Sequence, residues 1–154
     1  MFRRLSIGLL IILGFVLGYF REFVFESINA HLALQQMNSP SELSGILSIF
    51  NSFSPSLLYY TKFALTAFFA LLFLLISLAL IKAVFQTTKY FKWAYFFYLF
   101  VFGTSLVLFA MGKVIGLPEQ LYMVSRYIQE IIQSPLASFM LIPAIYLYQK
   151  EKQA

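Results

Sequence analysis

Apolar residues in this chain fall in long unbroken runs rather than in the alternation of a half-buried strand. Crossing the ~30 Å core of a bilayer takes about 20 mainly apolar residues in a helix. Three runs meet that length, at about 5–24, 57–82 and 92–115, and a shorter one lies at 134–150. From Pro135 to Gln149 the last run would rise about 22 Å at 1.5 Å per residue, so the helix before it must dip into the membrane or the bilayer must thin. Pro143 removes one backbone bond from this run and predicts a kink.

Two further stretches have the spacing of surface helices. Leu43, Ile46, Leu47, Phe50 and Phe53 recur against Ser44, Ser48, Asn51 and Ser52, which predicts an amphipathic helix at about 41–53. Leu121, Val124, Ile128, Ile131 and Ile132 likewise face away from Glu119, Arg126, Gln129, Glu130 and Gln133, predicting a second at about 118–133. Breakers separate these elements: Ser39-Pro40, Pro55, Gly116 as a C-cap with Pro118 after it, and Ser134-Pro135. No Gly or Pro interrupts residues 21–37, so the first helix is expected to run on to about residue 36. The pattern predicts an all-α integral membrane protein with one domain over 1–154, four spans and two outer amphipathic helices.

Composition agrees with that solvent. The chain is 61% hydrophobic and 11% charged, where globular domains carry about a quarter charged residues. Its net charge of +5 does not form the single stripe expected of a nucleic-acid binder, and no nucleic-acid partner is expected. The basic residues sit at the ends of the runs. Arg3, Arg4, Lys82, Lys89, Lys92, Lys150 and Lys152 lie on one side, and Arg21, Lys62, Lys113 and Arg126 on the other with five of the six acids. By the positive-inside rule both termini are cytoplasmic. Arg3-Arg4 before Leu5–Phe20 imitates a signal peptide, but no small-residue cleavage site ends the run, so it reads as a retained span.

Chemistry is sparse. The chain has no cysteine and one histidine, His31, which excludes thiolate catalysis and leaves no plausible metal site. His31 is expected to be interfacial. No phosphate loop or nucleophile–base set occurs, so the chain is expected to be non-enzymatic, with neither metal nor cofactor. Arg126 stands out, because an unpaired charge near membrane depth costs several kcal/mol. Glu22 and Glu26 are expected to pair with it across helices and Glu130 locally, with Arg21 alongside. Two readings stay open: a clamp between the first and last helices, or a surface that docks a partner protein or an anionic head group. Gly14 and Gly18 form a GxxxG seam for close helix packing, compatible with a homo-oligomer, and the same four-residue step continues through Glu22 and Glu26. Gly103-Thr104-Ser105 in the third span keeps a small transporter or channel subunit as the alternative.

The two ends of the chain carry a resemblance. Arg21-Glu22-Phe23 closes the first helix; Arg126-Tyr127, Gln133-Ser134-Pro135 and Leu141-Ile142-Pro143-Ala144-Ile145-Tyr146 mark the last region. In these motifs and in its four-span layout the chain resembles the small membrane proteins associated with bacterial exosortases. That resemblance implies an accessory protein in the inner membrane of a Gram-negative bacterium. It would bind another membrane protein, an exosortase-like enzyme, in surface-protein sorting or envelope polymer export. The enzyme itself uses a membrane-embedded cysteine, which this chain lacks.

Overall fold

The computed structural model describes residues 2–37 and 43–152. Within them the fold is all-α: α1 (Phe2–Gln36), a 3₁₀ helix (Gly45–Ser52), α2 (Pro55–Phe85), α3 (Phe91–Ile115), α4 (Pro118–Ile132) and α5 (Leu136–Glu151). Three helices, α1, α2 and α3, are long and apolar enough to cross a bilayer, and α4 with α5 passes the same test as a pair bent by 63°. This is a multi-pass membrane protein. Large apolar side chains such as Leu9, Leu13 and Phe15 on α1 and Phe96, Leu99 and Phe100 on α3 are exposed on the bundle surface, the arrangement expected where the solvent is hydrocarbon.

Local chemistry sets the boundaries. Ser54 caps α2 by accepting from the Leu57 amide at 3.3 Å, with Pro55 at the first helical position. Gly116, at φ 79°, ends α3 in the left-handed conformation open to glycine. Gln86 ends α2 at φ 55° without being glycine. Arg3 at the start of α1 reaches the freed carbonyls there, donating from Nε to Ala83 O at 2.9 Å and from its terminal nitrogen to Val84 O. A cation on the C-terminal carbonyls of a helix is favoured by their partial negative charge, and the contact fixes α1 antiparallel to α2.

The segment expected as an amphipathic helix over 41–53 is instead a 3₁₀ helix from Gly45, with Leu43 and Ser44 outside it. Gly45 sits at φ 63°, which breaks the helical run before it starts. Asn51 closes the approach by accepting from the Leu43 amide at 2.7 Å and donating to its carbonyl at 3.0 Å. Ser39-Pro40, Ser41 and Glu42 lie outside the described residues.

Two cores result. One joins Phe73 and Ile81 of α2, Ala94 and Tyr98 of α3, Ile132 of α4 and Leu141 and Ile145 of α5. The other, Val24 and Ile28 of α1 with Leu47 and Leu58, holds the far half of α1 against the 3₁₀ helix and the start of α2. His31 is buried beside this second core, 3.0 Å from Gln35 Nε2. Buried hydroxyls stitch the first core: Ser77 meets Tyr98 at 3.0 Å and Ser138 at 2.7 Å.

A cationic cavity between four helices

α1 turns one face inward along its whole length. Gly14 and Gly18 lie against Pro135 of the α4–α5 corner, where a Cβ on either would stand 3.8 or 3.6 Å from the ring. Continuing the same face at helical spacing leads to Arg21, Phe25 and Asn29. A strict step of four from Gly14 to Glu26 instead drifts by roughly 120° at 100° per residue. Glu22 and Glu26 accordingly stand exposed beside the face and not on it.

Arg21, Phe25 and Asn29 open onto a cavity of about 150 Å³ at the end of the bundle where α2 begins and α3 ends. α2 contributes Tyr59, Lys62, Phe63 and Thr66, and α3 contributes Phe102, Ser105, Leu106 and Phe109. α4 closes it with Tyr122, Ser125, Arg126, Gln129 and Gln133. Three cations from three helices therefore share one space, and among the described residues no carboxylate lines it.

The partners of these cations are mostly neutral. Arg21 donates from Nε to Oε1 of Gln133 at 3.3 Å and lies 4.9 Å from the centre of the Phe25 ring. Lys62 donates from Nζ to Asn29 Oδ1 at 2.6 Å. Arg126 has a carboxylate, Glu130, 3.3 Å away at i+4 on its own half-exposed helix face. That is the one ion pair among the described residues. Arg126 is also close enough to act electrostatically on both Arg21 and Lys62, while Glu130 and Glu22 act on Arg21 without touching it. Where an apolar surround lowers the dielectric, such like charges repel more than they would in water.

Gln133 is what the α4–α5 break supplies. It is 2% exposed, holds Arg21 with its oxygen and donates from Nε2 to Gln129 O at 3.3 Å. Ser134 spans the same corner, donating to Ile131 O at 3.0 Å and accepting from the Leu136 amide at 3.3 Å. On the other side Ser105 and Ser125 lock α3 to α4: their hydroxyls are 2.7 Å apart and each reaches the other's carbonyl, at 3.1 and 2.9 Å. Thr104 turns away and donates to Phe100 O within its own helix at 2.8 Å.

Of the five residues expected to cluster, Arg21, Arg126 and Glu130 come together around the cavity rim, and Glu22 and Glu26 do not reach Arg126. Lys62, Asn29 and Gln133 were not among the expected site residues. Lys62 carried a signal, being a lone charge two turns into an apolar run; Asn29 and Gln133 carried none without knowing the bend. The chemistry available is that of many donors and few acceptors: guanidinium, ammonium, hydroxyl and amide N–H around a small space. Such a set can hold an anion. No protein-family model matches this chain, and neither does a curated protein or a solved structure.

Proposed function

We propose that the protein is a non-enzymatic, membrane-embedded accessory that works by holding an anionic group in the cavity between α1, α2, α3 and α4. The single observation that carries this reading is the three-cation lining, Arg21, Lys62 and Arg126, with no lining carboxylate among the described residues. Keeping charges in spanning helices is costly, and a cost of that kind is offset when an anion completes the set. The positive-inside balance favours cytoplasmic termini and a cavity in the outer half of the membrane, with α4 dipping in from the outer side to complete a fourth span with α5 and the 3₁₀ helix lying on that outer side. The shared layout with small exosortase-associated proteins extends the proposal to a place beside a sortase-like enzyme of the bacterial inner membrane.

The absence of native cysteine makes orientation directly testable. Cysteines at Thr88 and Lys150 should react with an impermeant maleimide only in opened vesicles, and one at Ser52 should react in intact cells; the reverse pattern overturns the orientation. For the anion, a binding partner at a hundredfold excess over its Kd should raise the unfolding temperature of the purified protein by about 5 °C or more. If no soluble or amphiphilic anion raises it, the reading fails. A mild-detergent pull-down tests the accessory role, where recovery of the protein alone as a defined oligomer would favour the transporter alternative. The interlocked Ser105–Ser125 pair and the back-bonded Thr104 weigh against that alternative, since these hydroxyls are already satisfied by helix partners.

A further inference from the structure

The size and the walls of the cavity narrow the kind of anion. At about 150 Å³ it falls below the roughly 300–1,000 Å³ of pockets that enclose a whole ligand. A phosphate-sized head fits, and anything larger attached to it must lie outside. The apolar wall leads in one direction. Phe63 on α2 and Leu106 on α3 line the cavity and are also 41% and 50% exposed on the bundle surface. On helices of this length and hydropathy that surface meets acyl chains.

From this juxtaposition we infer that the cavity takes the phosphate head of an anionic amphiphile, whose apolar chain leaves between α2 and α3 along Phe63 and Leu106 and remains in the bilayer. The inference rests on the anion-holding reading above and adds the class of ligand. With Nε committed to Gln133, Arg21 keeps its four terminal N–H groups for phosphate oxygens, and Lys62 keeps two of three protons beyond the one given to Asn29. A choline attached to that phosphate would have to stand outside the cavity with its quaternary ammonium close to three cations, and among the described residues no lining carboxylate is there to receive it, so zwitterionic lipids are discriminated against. Free phosphate would satisfy the donors but would gain nothing along Phe63 and Leu106.

The test compares phosphatidic acid, phosphatidylcholine and inorganic phosphate as ligands of the full chain in dodecyl maltoside, read by thermal unfolding and by native mass spectrometry. Phosphatidic acid is expected to bind at least tenfold more tightly than phosphatidylcholine, and Arg21→Gln and Lys62→Gln should each cut that preference by about fivefold. Arg4→Gln, at the opposite end of α1, should leave it intact. Inorganic phosphate protecting as well as phosphatidic acid would overturn the amphiphile and leave the anion site standing. Protection by neither would overturn both. Equal binding of the two lipids, or a preference unchanged in both cavity variants, would sink the assignment to this cavity. Independently of how the variants fold, an alkyl phosphate with a diazirine in its chain should label the wild-type protein at Phe63 and Leu106. Labelling confined to the hollow formed by Lys89, Trp93 and Tyr148 at the other end of the bundle would overturn it.

Discussion

Arg21 on α1 and Gln133 at the α4–α5 corner, 112 residues apart, are joined by a 3.3 Å hydrogen bond from guanidinium Nε to the amide oxygen. A neutral partner holds the cation in place without cancelling its charge. Replacing Gln133 by Leu keeps the volume and removes the acceptor, which is expected to destabilise the protein by about 1–2 kcal/mol. Gln133→Glu should do the opposite for the fold, since a carboxylate there pairs with Arg21 directly, while lowering the positive charge of the cavity by one. Unfolding in detergent and phosphatidic acid binding read the two effects separately. Equal loss of stability from both substitutions would show that Arg21 does not depend on this contact.

The Ser105–Ser125 pair makes a quantitative prediction. Each hydroxyl has one proton, so two of the three short contacts form at a time. Ser105→Ala or Ser125→Ala then removes one bond and should cost about 0.5–1 kcal/mol, and the double variant about twice that. Ser125→Leu should cost more than the double variant, because α3 and α4 approach closely only where the side chains are small. A double-mutant cycle in detergent measures all of these. A double variant as stable as the wild type would mean that packing alone joins the two helices.

Much of the helix layout was legible because it depends on short-range signals. Apolar run length marks α2 and α3, Gly116 ends α3, and Pro118 and Pro135 restart the chain, each acting within a turn of its own position. The candidate site was legible only in part. Arg126–Glu130 is local and could be read from its i+4 spacing. The inclusion of Glu22 and Glu26 followed a strict four-residue step, whereas the buried face of α1 follows 3.6 residues per turn and runs through Arg21, Phe25 and Ile28. Gln133 and Asn29 enter through the 63° bend and the antiparallel pairing of α1 with α2, which no single stretch encodes. The 3₁₀ helix differs from the expected amphipathic helix because one glycine at positive φ outweighs a good apolar spacing.

Arg3 gives a prediction at the opposite end. Its side chain is exposed, yet it donates to Ala83 O and Val84 O, two of the last carbonyls of α2. Arg3→Leu should lower stability by about 0.3–1 kcal/mol, an effect that weakens with added salt in the wild type. Arg4→Leu, with no such contact among the described residues, should change stability less. Matched losses from the two would assign the effect to overall charge rather than to the cap.

The glycine seam on α1 separates packing within the chain from packing between copies. Pro135 fills it, with the Cβ positions of Gly14 and Gly18 at 3.8 and 3.6 Å from the proline ring. Those distances are ordinary van der Waals contact, so Gly18→Ala should be tolerated and is expected to gain about 0.5 kcal/mol from the lower entropy cost of alanine in a helix. Gly18→Leu has no such space. It should push α1 off the α4–α5 corner, lengthen the Arg21–Gln133 contact and cost at least 2 kcal/mol by overpacking. Size-exclusion chromatography with light scattering, run beside the unfolding measurement, tells the two uses of the seam apart. A change of oligomeric state in Gly18→Ala with unchanged protomer stability would mean that the seam serves a second copy; an unchanged state with the stability order Ala, Gly, Leu ties it to Pro135.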